Sequence, residues 1–237
     1  MVVAESESSD MSNYVSIFAN ELRVYSENKM LKTGSLEEIY RWMASGDIPV
    51  NSGATDVSFI NTEGIAHNTA GQTVDVRDRA QTKLMLTTKP EQYITDALIS
   101  KVNGKPMFQI DRSVYSADKT FIGYMQMTIP MDTLVKTIQS KKIGDSGYIF
   151  LVDSTGTIFA HPNEDFVMKV NLLESFDSNS TSSSPMQLIA QKMVKGETGN
   201  GWVTDNGGAS QSLIFYHPVT GTSWSLALSI PEIQVHS

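Results

Sequence analysis

Two stretches far apart in the chain, DVSFINTEGIAHN starting at Asp56 and YIFLVDSTGTIFAHPN starting at Tyr148, spell the same piece of structure. In each, a run of strand-forming residues leads into a four-residue turn ending in glycine, NTEG or DSTG, and a second short run returns from it. That order is a β-hairpin signature. Each copy also carries an Ala-His pair at the returning strand, Ala66-His67 and Ala160-His161. The turn glycines, Gly64 and Gly156, stand much further apart than the ~20 to 50 residues of a solenoid repeat. The pattern therefore predicts two tandem copies of one α+β fold. A chain of 237 residues has room for them, because domains most often run to roughly 100 to 150 residues.

The flanking sequence extends the pattern. From Ser12 to Lys32, Val15, Phe18, Ala19, Leu22, Tyr25 and Met30 recur at three-and-four spacing, which predicts a long helix with one apolar stripe. Gly34 ends it. Leu36 to Met43 predicts a short second helix, with Ser35 and Glu38 placed as a capping box. After each hairpin comes a helical stretch, Arg77 to Leu86 or Pro185 to Lys195, and then strands. These fall near Ile94 to Val102, Pro106 to Tyr115 and Ile122 to Ile129 in the first copy. In the second they fall near Gly201 to Thr204, Ser212 to His217 and Trp224 to Ile230. Met131 to Gln139 predicts a helix between the copies, and the polar run SFDSNSTSSS from Ser175 to Ser184 an exposed loop. The expected division is 1–55 as an N-terminal helical region, 56–135 as the first module and 136–237 as the second, with antiparallel sheets carrying helices.

A net charge of −8 and a pI near 5.0 argue against nucleic acid as a partner, since phosphate binding needs clustered Lys and Arg. Lys141-Lys142 reads as a solvated pair. The absence of cysteine rules out disulfides and thiolate zinc sites. No window reaches the ~20 apolar residues of a membrane helix, and the N-terminus lacks the basic start and apolar block of a signal peptide.

His161 is the first candidate for chemistry, with Asp153, Glu164 and Asp165 near it in sequence. A catalytic or zinc-binding histidine calls for a nucleophile or about three protein ligands, yet His67, His161, His217 and His236 are scattered and no H-E-x-x-H or nucleophile elbow occurs. A neutral imidazole satisfying backbone groups at a strand end is the expected role, with no metal, cofactor or catalytic residue. The stretch VDVRDRAQTK from Val74 to Lys83 is more informative. Arg77 and Arg79 stand two residues apart, so within a helix they point to opposite sides and only one of them can face inward. An inward arginine suits a carboxylate or carbonyl, and Asp96 in YITDAL could complement an amine or ring N–H. The alternative is an ion-paired surface worth at most ~1 kcal/mol per pair.

The order of these elements resembles the double Cache sensor domain, the extracytoplasmic ligand-binding part of bacterial chemoreceptors and sensor kinases. The likeness runs from the long helix through DVSFINTEG, DVRDRAQTK, ITDALISKVNGKPMFQIDRSVY and FIGYMQMTIPMDTL to GYIFLVDSTGTIFAHP and GTSWSLALSIPE. It implies a long N-terminal helix followed by two PAS-like modules, of which the membrane-distal first one holds a small metabolite. Amino-acid-binding members share Tyr, four residues, Arg, one residue, Trp-Tyr, and an Asp on a later strand. Here the arginine falls on Arg79, but the Tyr aligns with Val74, the Trp-Tyr pair with Gln81-Thr82 and the strand Asp with Thr128.

The implied site is thus Arg79, Asp96, Gln81, Thr82 and Thr128, suited to a small carboxylate, an amine or a polar heterocycle. The resemblance also implies a non-enzymatic, membrane-anchored sensor with its output domain elsewhere, and a homodimer through the long helix is a further expectation. The rival readings are an adhesion or interaction domain with a vestigial pocket, sensing through a binding-protein partner, and a hydrolase using His161.

Overall fold

In the computed structural model, residues 2–50, 53–100, 104–141, 143–174, 184–204 and 210–232 are described. Lys142, His236 and nearly all of the Ser175 to Ser184 loop lie outside them. The chain divides into two compact units. One comprises 14–98 and 107–130; the other comprises 1–13, 99–106 and 131–237.

Helix α1 runs from Val2 to Ser26 and α2 from Lys29 to Thr33. The single long helix expected over Ser12 to Lys32 is therefore broken, and it starts earlier. The break is Asn28, whose side chain accepts from the Met30 N–H and caps α2. Gly34 closes α2, and α3 (Leu36–Met43) begins with Ser35 and Glu38 forming the expected capping box. In the stripe of α1, Val15, Phe18, Leu22 and Tyr25 are buried, whereas Ile17 and Val24 are exposed.

The first sheet contains β1 (Asp56–Asn61), β2 (Ile65–Asn68), β3 (Thr73–Asp75), β4 (Gln92–Ile94), β5 (Leu98–Ile99), β6 (Pro106–Tyr115) and β7 (Phe121–Pro130), with α4 (Ala80–Thr88) between β3 and β4. Its order is β3-β2-β1-β7-β6-β4, with β5 on β6, and every pairing along that path is antiparallel. After α5 (Asp132–Ser140), the second sheet is built from β8 (Tyr148–Val152), β9 (Ile158–Ala160), β10 (Gly199–Thr204), β11 (Gln211–Pro218) and β12 (Ser225–Pro231), with α6 (Pro185–Met193) before β10. Its order is β10-β11-β12-β8-β9. Each sheet therefore places its hairpin beside its last strand and then the penultimate one, followed by an earlier strand, β4 or β10. This is one topology used twice.

The two turns share their chemistry. Asn61 Oδ1 accepts from the N–H groups of Glu63 and Ile65, and Asp153 Oδ1 accepts from those of Thr155 and Thr157. Each side chain so folds its own turn, and Gly64 and Gly156 close it at φ 77° and 86°, where a Cβ would be strained. The Ala-His pairs are not equivalents, however. His67 opposes Phe59, whereas Ala160 opposes Leu151 across a bulge, because the second returning strand is longer by two residues before its Ala-His.

The stretch read as one strand near Ile94 to Val102 is two short strands, β4 and β5, within its described residues. The helix read from Arg77 starts at Ala80, because 73–75 is spent as strand β3 on the hairpin.

Candidate functional site

In β1, β6 and β7, polar and apolar side chains alternate, and the antiparallel register brings like to like. Asp56, Ser58 and Ile60 of β1 lie opposite Thr128, Gln126 and Tyr124 of β7. These in turn oppose Gln109, Asp111 and Ser113 of β6. Side chains of directly paired residues share one face, so one side of the first sheet is polar across three strands. The other side carries Val57, Phe59, Met125, Met127, Phe108 and Ile110, all buried. There Phe18 of α1 packs edge-on to Phe108, and Tyr40 of α3 meets Phe59.

A polar sheet face would ordinarily look to solvent. This one does not: Gln109, Gln126, Ser58 and Asp111 are all buried, Asp111 completely at 0% exposure. Helix α4 lies on this side. Its Thr82 hydroxyl shares a hydrogen bond of 2.9 Å with the Tyr124 hydroxyl, and Gln81 donates to Gln109 Oε1 at 2.7 Å. Gln109 Nε2 then donates to Thr128 Oγ1 and to Gln126 Oε1, each at 3.1 Å. Gln126 Nε2 donates to Asp111 Oδ1 at 2.8 Å. Three of the residues inferred from sequence, Gln81, Thr82 and Thr128, thus belong to hydrogen-bond systems on this face. Apolar packing of Ile60, Ala66, Val76 and Met85 around Tyr124 closes its end toward the hairpin.

Arg79 is the N-cap of α4. The residue is half-buried, and among the described residues its guanidinium makes no hydrogen bond or ion pair; its charge reaches Asp56 and Tyr124. Arg77 is the exposed one of the pair and is held by Asp75. Asp96 sits one residue beyond Thr95, half-buried between β4 and β5. Its charge, with that of Asp111, adds to burial in raising the Tyr93 phenol.

Asp111 was not among the residues singled out from sequence. Burial pushes its carboxyl up to about 7, against the opposing hydrogen bond from Gln126. Its Oδ2 is buried with no hydrogen-bond partner among the described residues, an arrangement that ordinarily costs ~1 to 3 kcal/mol or more for a charged group. Burial likewise raises the Tyr124 phenol, the nearby Asp111 charge adding to it.

The second sheet shows what the same face looks like when it is only core. Counting back from each turn, Ser58, Gln126, Gln109 and Asp111 occupy the register positions of Phe150, Ala227, Ile214 and Tyr216. Those four residues pack with Ile189, Ala190 and Met193 of α6 in an apolar cluster. Gly199 and Gly201 make room for it: a Cβ at Gly199 would fall 2.4 Å from the Tyr216 hydroxyl, and one at Gly201 3.0 Å from Ile189.

His161 is buried, and its Nδ1 accepts from the Asn163 N–H at 2.9 Å, which places the proton of the neutral ring on Nε2. Burial holds its pKa down. Asp153 is occupied by its turn. No group of three metal-ligating His, Cys, Asp or Glu residues occurs among the described residues. Lys141, read as solvated, is mostly buried and pairs with Glu7 and Asp10. Among the described residues no helix is long and apolar enough to cross a membrane.

A duplicated hairpin-and-sheet fold with one buried polar face defines the class of module, and comparison with known proteins identifies the family. The Cache domain family model matches residues 2–237, and the chain belongs to that family. Over 147 residues it is 27% identical to the methyl-accepting chemotaxis protein McpG of Pseudomonas putida, a match covering 61% of this chain and 20% of that protein. Among solved structures, the extracellular domain of a protein classed as a histidine kinase superposes with a TM-score of 0.76 at 15% identity, covering 99% of this chain and 97% of that one. The ligand-binding domain of the Pseudomonas aeruginosa amino acid chemoreceptor PctC, in complex with GABA, gives 0.71 at 18% identity, with 96% of each chain covered. At these identities the structural likeness is one of fold.

Proposed function

We propose that this chain is the extracytoplasmic sensor part of a membrane-anchored bacterial receptor, and that it binds a small polar metabolite on the polar face of its first sheet, beneath α4. The observation that carries this reading is the buried chain from Gln81 through Gln109 and Gln126 to Asp111. A purely structural sheet would fill those positions with apolar side chains, as the second sheet does. Family membership and the likeness to a chemotaxis protein support the sensor role, and the amino acid chemoreceptor among the structural neighbours supports a small ligand. In this reading Arg79 at the start of α4 is the cationic pole, with Gln81, Thr82 and Thr128 as neutral contacts and Asp96 at the edge. Binding favours one of two arrangements of α4 on the sheet, and the signal leaves through the second module. Pairing of the long helices in the intact receptor would use Ile17 and Val24, because the main stripe is already buried.

A thermal-shift screen of the purified domain against amino acids, small carboxylates, amines and nucleobases tests the reading. A ligand that binds only the folded state raises the midpoint. Arg79→Ala is expected to weaken a ligand that hydrogen-bonds the guanidinium by roughly 1.5 to 3 kcal/mol. Retention of full affinity for every hit by Arg79→Ala would remove Arg79 from the site, and no shift across all four classes would count against direct sensing.

A further inference from the structure

We infer that the first module responds to protons themselves: ionisation of Asp111 frees the first turn of α4 from the sheet, so that the domain reads pH as well as a metabolite. The inference goes beyond metabolite binding and does not depend on which metabolite is bound.

Helix α4 is loosely held where it starts. Its buried residues are Thr82 and Met85, and Met85 belongs to the apolar cluster toward the hairpin. Ala80 and Lys83 of the first turn are exposed. That turn is therefore fastened to the sheet by side-chain hydrogen bonds, Thr82 with Tyr124 and Gln81 to Gln109. The corresponding helix of the second module, α6, instead buries Ile189, Ala190 and Met193 in an apolar cluster.

Both fastenings lead to Asp111. From Gln81 each amide donates to the next, Gln109 to Gln126 and Gln126 to Asp111 Oδ1, so the chain ends on the acid. Tyr124, which holds Thr82, lies one pair further along the same face and is acted on by the Asp111 charge. The other titratable or charged groups on this side are Tyr93 opposite Asp111 on β4, Asp56 on β1, Asp96 after β4, and Arg79 at the start of α4. Arg79 exerts its charge on Asp56 and Tyr124. The Asp111 carboxyl itself is governed by burial, which holds its proton up to about neutrality, and by the Gln126 bond.

Protonated, Asp111 is neutral and the face stays closed. Ionised, it leaves Oδ2 buried without a donor among the described residues, and a buried carboxylate persists only with donors. Water entering beneath the first turn of α4 supplies them, because the bonds that hold this turn are of a kind that water replaces at little cost. Hydration returns the acid toward its ordinary range. Opening therefore releases a proton, and its equilibrium is linked to pH.

Amide hydrogen exchange of the purified domain without added ligand, from about pH 5 to about pH 8.5 and corrected for the intrinsic pH dependence of exchange, tests the inference. The opening constant for the amides of Lys83 to Met85 should rise about tenfold per pH unit below about pH 7 and level off above it. Amides of β1 and β7, which report unfolding of the whole module, should stay at least about a hundredfold better protected at every pH. Asp111→Asn should abolish the rise and show near pH 8 the protection that the parent has near pH 5. Asp111→Glu keeps a titrating carboxyl and should keep the rise.

Protection of α4 that does not change with pH in the parent, a rise retained in Asp111→Asn, or α4 amides exchanging in step with those of β1 and β7 would each overturn the inference. The parent measurement decides without any variant. None of these outcomes bears on metabolite binding, which the thermal-shift screen tests separately.

Discussion

Gln126 Nε2 lies 2.8 Å from Asp111 Oδ1, and the other oxygen of the same buried carboxylate has no hydrogen-bond partner among the described residues. Two residues facing each other across β6 and β7 therefore hold one half of an acid and leave the other half unsatisfied. The folded domain bears the cost of that arrangement whenever the acid is ionised.

The cost predicts how stability depends on pH. A carboxyl raised to about 7 on folding holds its proton between about pH 4 and pH 7, where the unfolded chain has already released it, so stability falls as pH rises through that window. The shift corresponds to a penalty on the order of 4 kcal/mol once both states are ionised. Asp111→Asn should therefore be more stable than the parent by ~1 to 4 kcal/mol near pH 8, with the difference shrinking toward pH 4. Urea unfolding of both proteins across that range measures it, and an equal difference at all pH values would show that Asp111 does not titrate in the window.

The hydroxyl pair between α4 and the sheet predicts a coupling. Tyr124→Phe leaves the fully buried Thr82 hydroxyl without its partner and should cost ~1 to 2 kcal/mol. Thr82→Val in the same background removes the orphaned group, so the double variant should cost less than the two single changes added together. Denaturant melts of the four proteins close the cycle; strict additivity would mean that α4 is not held to Tyr124.

In the other unit, Lys141 joins Glu7 and Asp10 of α1. Burial tends to lower the lysine, but hydrogen bonds and charge from Glu7 and Asp10 prevail and raise it. The stability it contributes is thus fully present below the ordinary lysine range and lost only as pH rises through the higher folded value. Lys141→Met should cost ~1 to 3 kcal/mol, since it leaves the mostly buried Glu7 without a counter-cation. The deficit should persist from about pH 6 to about pH 9 and narrow above about pH 10.5. Melting curves at those pH values would reveal a purely packing role if the deficit stayed constant throughout.

The local signals were strong where short-range chemistry decides the conformation. NTEG and DSTG each fold through one side chain accepting two nearby N–H groups, and Ser35 with Glu38 caps α3 without help from tertiary structure. The break at Asn28 was hidden because the apolar spacing continues through it, and a cap competes with the helix on nearly equal terms. The strand β3 was hidden because all three of its residues are exposed, so it lacks a buried alternation.

Asp111 was missed for a different reason. FQID in β6 and YMQMT in β7 both alternate, but a polar face on a strand is normally the solvent face. Only the register of three strands together with the position of α4 turns the alternation into a buried polar surface. Arg79 and Gln81 stood out earlier because they lie at the start of α4, where a family pattern marks the segment.

The register equivalence between the two sheets has a consequence for how such a chain changes over time. The copy ending in β12 occupies its four central positions with Phe150, Ala227, Ile214 and Tyr216, and the copy ending in β7 with Ser58, Gln126, Gln109 and Asp111. Because strand pairing is common to both, these few side chains, with the glycines that make room beside them, are what separate a filled interior from a set of donors and acceptors. Duplication thereby separates two demands that conflict within one copy: one sheet can keep a settled interior while its sibling trades stability for new chemistry.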